Sequence, residues 1–241
     1  MGAIDKKRIA KNTFFLYFRM LIVMGVTVYS ARIVLDTLGV NDYGIYTLVG
    51  SVVILFTFLN SSMTTCTQRY LCVAIGKENP DYEKDVFTTS VISHILISIL
   101  FLALSETAGL WLVLNVLNLP PGSKTVALIV YQFAIVTAVF TILRVPFNGA
   151  IIAYEKMDFY AYSSIIETAL KLVILVPLTW MQTNKLILYS VLVAGVGLII
   201  LVWYQIYVFS HLKNCKVTFK EVKVQLMKEM GANGYRTSHY P

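Results

Sequence analysis

The chain has 241 residues, a formal charge of +7 and a mean hydropathy of +0.71, with only 14% of its residues charged. That balance excludes an ordinary soluble domain. There is no Gly-rich phosphate loop with its lysine, no His-rich zinc spacing and no nucleophile elbow, so neither a cofactor, a metal nor ATP-driven chemistry is expected within the chain.

Residues 1–12 read as a cytoplasmic N-terminal tail carrying Lys6, Lys7, Arg8 and Lys11. Six apolar stretches follow, read as spans at 13–38, 44–75, 86–105, 125–147, 158–181 and 186–210. Each reaches the roughly 20 residues a bilayer requires. Helix is the required conformation, because a chain segment in lipid must satisfy its own backbone hydrogen bonds. The first span has no small-residue cleavage site and is not a removable signal peptide. It carries Arg19 about two turns from its start, either facing a cavity or snorkelling to the near surface. Arg32 and Asp36 lie four residues apart near its far end, where Arg32 reads as snorkelling outward beside the acid.

The second span contains Asn60, Ser61, Ser62, Thr64, Thr65, Cys66, Thr67, Gln68 and Arg69. Close helix packing accounts for the small hydroxyl residues. It accounts less well for Gln68 and Arg69, so the run reads as the wall of a hydrated cavity. His94, in the third span, is either a titrating coupling group or a hydrogen-bonded packing residue. After Glu106 at the boundary, Gly109–Leu119 is apolar but too short to span and stops at Pro120–Pro121–Gly122. An interfacial segment anchored by Trp111 is expected there.

Arg144–Val145–Pro146 is expected to end the fourth span, since proline removes a backbone donor. On the fifth, Glu167 and Lys171 are four apart, either a neutralised internal pair or a coupling or substrate site, and Pro177 should bend the helix. Residues 211–230 read as a basic amphipathic segment on the anionic inner leaflet, or as a solvated linker, and 231–241 as a disordered end. Lysines and arginines gather at both termini and in the even-numbered loops, which places those on the cytoplasmic side and argues against a nucleic-acid partner. Cys66, Cys72 and Cys215 have no ligand spacing and read as small apolar packers. The fold class is therefore an all-α polytopic membrane protein with six transmembrane helices, whose interior handles something polar.

Several stretches are more specific. Asn12–Thr13 through Arg19–Met20, Ala31–Tyr46, Thr65–Leu71, Glu106–Trp111 and Pro146–Met157 resemble bacterial polysaccharide or O-antigen repeat-unit flippases, which belong to the multidrug/oligosaccharidyl-lipid/polysaccharide exporter superfamily. The resemblance runs from about residue 10 to about residue 230 and matches the first of that family's two six-helix lobes. It implies an inner-membrane protein that moves undecaprenyl-pyrophosphate-linked oligosaccharides for lipopolysaccharide or capsule biosynthesis, by alternating access around a cationic cavity. Under it, Arg19, Arg32, Arg69, Arg144, Lys171 and Gln68 are the substrate-binding candidates, and Asp36, Glu167 and His94 the coupling candidates. The implied partners are lipid-linked oligosaccharide, membrane lipids, and either a missing second lobe or a second copy of the chain. A truncated gene product is the preferred explanation of the half length. The competing functions are a cation-coupled multidrug exporter, which favours deep acidic residues, and a non-transporting membrane scaffold or inactive remnant.

Overall fold

The computed structural model describes residues 6–56, 58–180, 184–212 and 214–215, and every regular element among them is helical. Helix α1 (Lys6–Leu38) begins ahead of the expected apolar stretch and ends at Gly39. There φ is +80, a left-handed conformation that glycine adopts without a Cβ penalty. The Gly39 N–H still bonds the Leu35 carbonyl, and the chain re-enters helix at once as α2 (Val40–Phe56). Helix α3 (Phe58–Gly76) follows. The expected second span is thus present as two helices on either side of residue 57, which lies outside the described residues.

Helix α4 (Pro80–Leu104) is capped by Asn79, whose side chain accepts from the Tyr82 N–H at 3.1 Å, with Pro80 in the first turn where no intrahelical donor is needed. It does not stop near residue 105. A π turn (Ser105–Gly109) carries it into α5 (Leu110–Asn115). The expected interfacial segment is therefore a continuation of α4, with Val113 buried in the core and Trp111 exposed. Helix α6 (Lys124–Ala153) likewise passes through Pro146 rather than ending there. Proline removes one hydrogen bond to the carbonyl four residues back but fits where packing holds the helix on both sides. Pro146 and its neighbours Val145 and Phe147 are all buried.

Pro177 has the stronger effect. Helix α7 (Met157–Val173) gives way at Ile174 to the short α8 (Leu175–Trp180), because the Pro177 ring displaces the Val173 carbonyl from its usual bond. Helix α9 (Lys185–His211) completes the lobe. The basic segment expected at 211–230 and the end at 231–241 lie outside the described residues, apart from 211, 212, 214 and 215.

Among the described residues five helical stretches are long and apolar enough to cross a membrane: Lys11–Leu38, Pro80–Asn115, Lys124–Ala153, Met157–Leu178 and Lys185–His211. Helix α6 is the organising element. It packs against α9 on one side and against α3 and α4 on the other, while α1 leans mainly on α7. Two apolar cores result, one around Val49, Tyr131, Ile135 and Leu186, the other around Leu71, Phe87, Ile151 and Ile200. Phe14, Tyr17, Leu21, Met24 and Val28 remain exposed along α1, as an apolar surface in contact with lipid permits.

Candidate functional site

Helices α1, α2, α6, α7 and α9 line an open cavity of about 470 Å³. Each wall follows from helical periodicity. Helix α1 contributes Arg19, Val23, Thr27, Ser30, Ala31 and Val34, which share one face because, apart from the adjacent Ser30 and Ala31, they recur every three or four residues. On α7 the same spacing brings Tyr160, Ser164, Glu167, Thr168 and Lys171 to the cavity. Helix α6 adds Arg144 and Asn148, α2 adds Tyr43 and Tyr46, and α9 adds Tyr189 and Tyr204.

The charged groups are held in fixed relation. Arg144 Nη1 donates to Glu167 Oε2 at 2.7 Å, and Lys171 Nζ donates to Glu167 Oε1 at 2.8 Å, so one carboxylate bridges two cations. The Arg144 guanidinium also lies over the Tyr204 ring, 5.4 Å from its centroid. Nearer the start of α7, Arg19 of α1 donates its Nε–H to Ser164 Oγ at 2.7 Å, and its guanidinium sits 4.2 Å from the Tyr160 ring. That distance suits a cation–π contact, which holds a charge without neutralising it. Three cations against one carboxylate leave the described lining with an excess of positive charge.

The polar groups divide into satisfied and available. Thr27, Ser30 and Thr168 turn their hydroxyls back to carbonyls of their own helices. Asn148 Oδ1 is buried without a hydrogen-bond partner among the described residues. A buried polar atom of that kind needs a partner of its own, from water or a bound group. Tyr46 and Tyr189 meet edge-on, with centroids 5.2 Å apart, at the far end of the cavity.

Of the expected substrate residues, the cavity gathers Arg19, Arg144 and Lys171, and of the expected coupling residues it gathers Glu167. The others lie elsewhere. Arg32 and Asp36 are both exposed, on a different face of α1 from Arg19, and form no ion pair with each other among the described residues. Arg69 is exposed on α3, and Gln68 packs beside α6 at Gly149. The described part of the hydroxyl run, with Cys66 and Thr67 buried, therefore serves helix packing and does not line this cavity. His94 is fully buried in α4, its Nδ1 2.8 Å from the Ser90 carbonyl oxygen.

Sequence reasoning missed Asn148, Tyr160, Ser164, Thr168, Tyr189 and Tyr204. The signal was present on α7, where Tyr160, Ser164, Glu167 and Lys171 form a polar stripe at helical spacing. Among the described residues no group of three His, Cys, Asp or Glu side chains assembles as a metal site.

No protein-family model and no curated protein matches the sequence. Solved structures do. The chain is similar to a multidrug-resistance MATE-family transporter of the MOP superfamily in its outward-facing conformation, with TM-score 0.74 and 12% identity over 95% of this chain and 52% of that one. It is similar to a MOP-superfamily transporter from Pyrococcus furiosus, described by the reverse polarity of its binding pocket, with TM-score 0.72, 12% identity and the same coverage. It is also similar to MATE in complex with MaL6, with TM-score 0.75 and 13% identity over 95% of this chain and 52% of that one. The chain spans about half the length of each structure. Its fold is one lobe of this transporter architecture, in a multi-pass membrane protein.

Proposed function

We propose that the chain is a transport lobe of a MOP-type exporter that accepts an anionic, lipid-linked substrate, an undecaprenyl-pyrophosphate-linked oligosaccharide, in the inner membrane with both termini cytoplasmic. The observation that carries this reading is the charge of the cavity: Arg19, Arg144 and Lys171 line it with Glu167 as their one carboxylate. A diphosphate carries the complementary charge, and arginine presents a planar fork suited to its oxygens. A charge excess inside a membrane is costly until an anion meets it, which ties binding to occupancy. Alternating access then requires a second half to rock against, supplied by a second lobe or a second copy.

A cation-coupled multidrug exporter is supported by the same structural likeness. The charge distribution disfavours it, since Glu167 already bridges Arg144 and Lys171 and offers a coupling cation no free carboxylate. The test is binding of undecaprenyl-pyrophosphate-linked oligosaccharide to the 241-residue chain in lipid nanodiscs. Arg144→Gln and Lys171→Gln should each weaken it about tenfold, equivalent to ~1.4 kcal/mol. Binding that is unchanged in both variants, or equal for a neutral lipid-linked sugar, sinks the reading.

A further inference from the structure

A second cavity, of about 500 Å³, lies beside the charged one, between α2, α6 and α9. Its lining is of opposite character: Val53, Ile54, Val130, Phe133, Ile142 and Val193 are among its walls. Thr137 and Thr141 also line it, but Thr137 Oγ1 donates to the Phe133 carbonyl at 2.8 Å and Thr141 Oγ1 to the Thr137 carbonyl at 3.0 Å. Their hydroxyls are thereby satisfied within α6, which makes this wall compatible with an apolar occupant.

The two cavities adjoin and share lining residues. A small pocket of about 40 Å³ is lined by Thr137, Thr141 and Val193 of the apolar groove and by Arg144, Glu167 and Lys171 of the charged cavity. Tyr46 lines both large cavities. The connection follows one face of α6, since Phe133, Thr137, Thr141 and Arg144 succeed one another at spacings of four, four and three residues. Gly197 of α9 lines the small pocket, and an added Cβ there would meet Phe140 Cδ2 at 3.6 Å and Thr137 Cγ2 at 3.7 Å, ordinary contact distances that mark a close approach of α9 to α6.

From this adjacency we infer that the groove between α2, α6 and α9 holds the hydrocarbon chain of an anionic lipid whose phosphate sits at Arg144 and Lys171. The inference rests on the reading of the charged cavity as an anion site. It adds where the apolar part goes. An apolar groove that meets cations at one end fits an amphiphile with its charge at one end, and neither a neutral helix nor a soluble anion has both properties. The occupant is therefore a lipid chain, not a second protein segment.

The test uses the 241-residue chain in phosphatidylcholine nanodiscs with two photoreactive lipids, one with a phosphatidic-acid headgroup and one with phosphatidylcholine. Both carry a diazirine on the same chain carbon, and adducts are mapped by mass spectrometry. The acidic probe should label Ile54, Phe133 and Thr141 about tenfold above the zwitterionic one, equivalent to ~1.4 kcal/mol of headgroup preference. Arg144→Gln with Lys171→Gln should abolish that excess while labelling of lipid-facing Met24 and Phe209 stays constant. Equal labelling by both probes overturns the inference, as does cross-linking of a second copy through the groove. Thr141→Trp, at an exposed position, should block the groove signal, and the comparison of probes on the unaltered chain decides the matter if a variant misfolds. Protection of Lys171 from acylation by inorganic pyrophosphate reports the anion site alone. Protection without groove labelling sinks the groove and leaves the cavity reading standing, whereas loss of protection sinks both.

Discussion

Arg144 on α6 and Glu167 on α7 join across the cavity wall at 2.7 Å, and the same carboxylate holds Lys171 one turn further along α7. The two partners differ in setting. The Arg144 side chain is 22% exposed and that of Lys171 45%, so the arginine bond is the more sheltered of the two. Arg144→Met should therefore destabilise the lobe by about 1.5–3 kcal/mol, the range for hydrogen bonds to charged groups. Arg144→Met with Glu167→Leu should lie closer to the parent than the sum of the single changes, by about 1 kcal/mol or more. Thermal unfolding in nanodiscs measures all four corners. Additivity would mean that the pair is not a structural unit.

The π turn makes a second, independent demand. Ser105 O accepts the Leu110 N–H of the widened turn and also the phenolic hydroxyl of Tyr131 on α6, at 2.7 Å. Tyr131 is fully buried, so water cannot replace it. Tyr131→Phe keeps the ring and removes only the donor, and should cost about 1–2 kcal/mol. The same variant should raise hydrogen exchange around Ser105–Gly109. A variant with parental stability and exchange would show that the turn holds without this bond.

Outside the spanning segments, Tyr154 donates its hydroxyl to Glu83 Oε1, and Asn214 donates to Glu83 Oε2 at 3.1 Å. This ties the α6–α7 connection and the end of α9 to the first turn of α4. Burial, reinforced by the Glu83 carboxylate, pushes the Tyr154 phenol up from its ordinary value. Burial and the same carboxylate push the Cys215 thiol up to about 12 from 9.0. Both groups stay neutral in the folded chain while the unfolded chain ionises them. The Cys215 contribution is full below pH 9 and is lost as pH rises from 9 towards 12, while that of Tyr154 begins to be lost only above pH 10, each at up to about 1.4 kcal/mol per pH unit. Cys215→Val should flatten the fall in stability between pH 9 and pH 11. An unchanged slope would remove the thiol from this account.

The α6–α7 part of the site was legible to the extent that its chemistry is local. Glu167 and Lys171 share a helical face at spacing four, and their pairing needs no knowledge of the fold. Arg19 with Ser164 is different, since 145 residues separate them and only the docking of α1 on α7 brings them together. Arg69 and Arg144 look equivalent in the sequence, each an arginine near the end of an apolar stretch. Packing decides between them: α6 is central and turns Arg144 towards α7, while α3 leaves Arg69 exposed. The continuation of α4 into α5 was hidden because the group that meets the Ser105 carbonyl at the π turn, the Tyr131 hydroxyl, lies 26 residues away.

Helices α3 and α6 approach each other closely at one glycine. An added Cβ at Gly149 would stand 3.2 Å from Thr67 Cγ2 and 3.7 Å from Gln68 Cγ, so the helices approach here because a side chain is missing. In a membrane, lipid tails are as apolar as the packed surface, and close van der Waals contact between helices carries much of the association. Gly149→Ala asks Thr67 to shift by a few tenths of an ångström while raising helix propensity by about 1 kcal/mol, and the two effects should nearly cancel. Gly149→Leu cannot be accommodated in that way. Overpacking should cost it about 1–3 kcal/mol. Gly149→Ala with Thr67→Ser, which deletes the opposing methyl, should be more stable than Gly149→Ala alone. Thermal unfolding and Cys66 accessibility to maleimide together test this, because Cys66 is buried at the same contact region and should become reactive when α3 separates from α6. A Gly149→Leu variant with parental unfolding and a protected Cys66 would place the close approach of these helices somewhere other than Gly149.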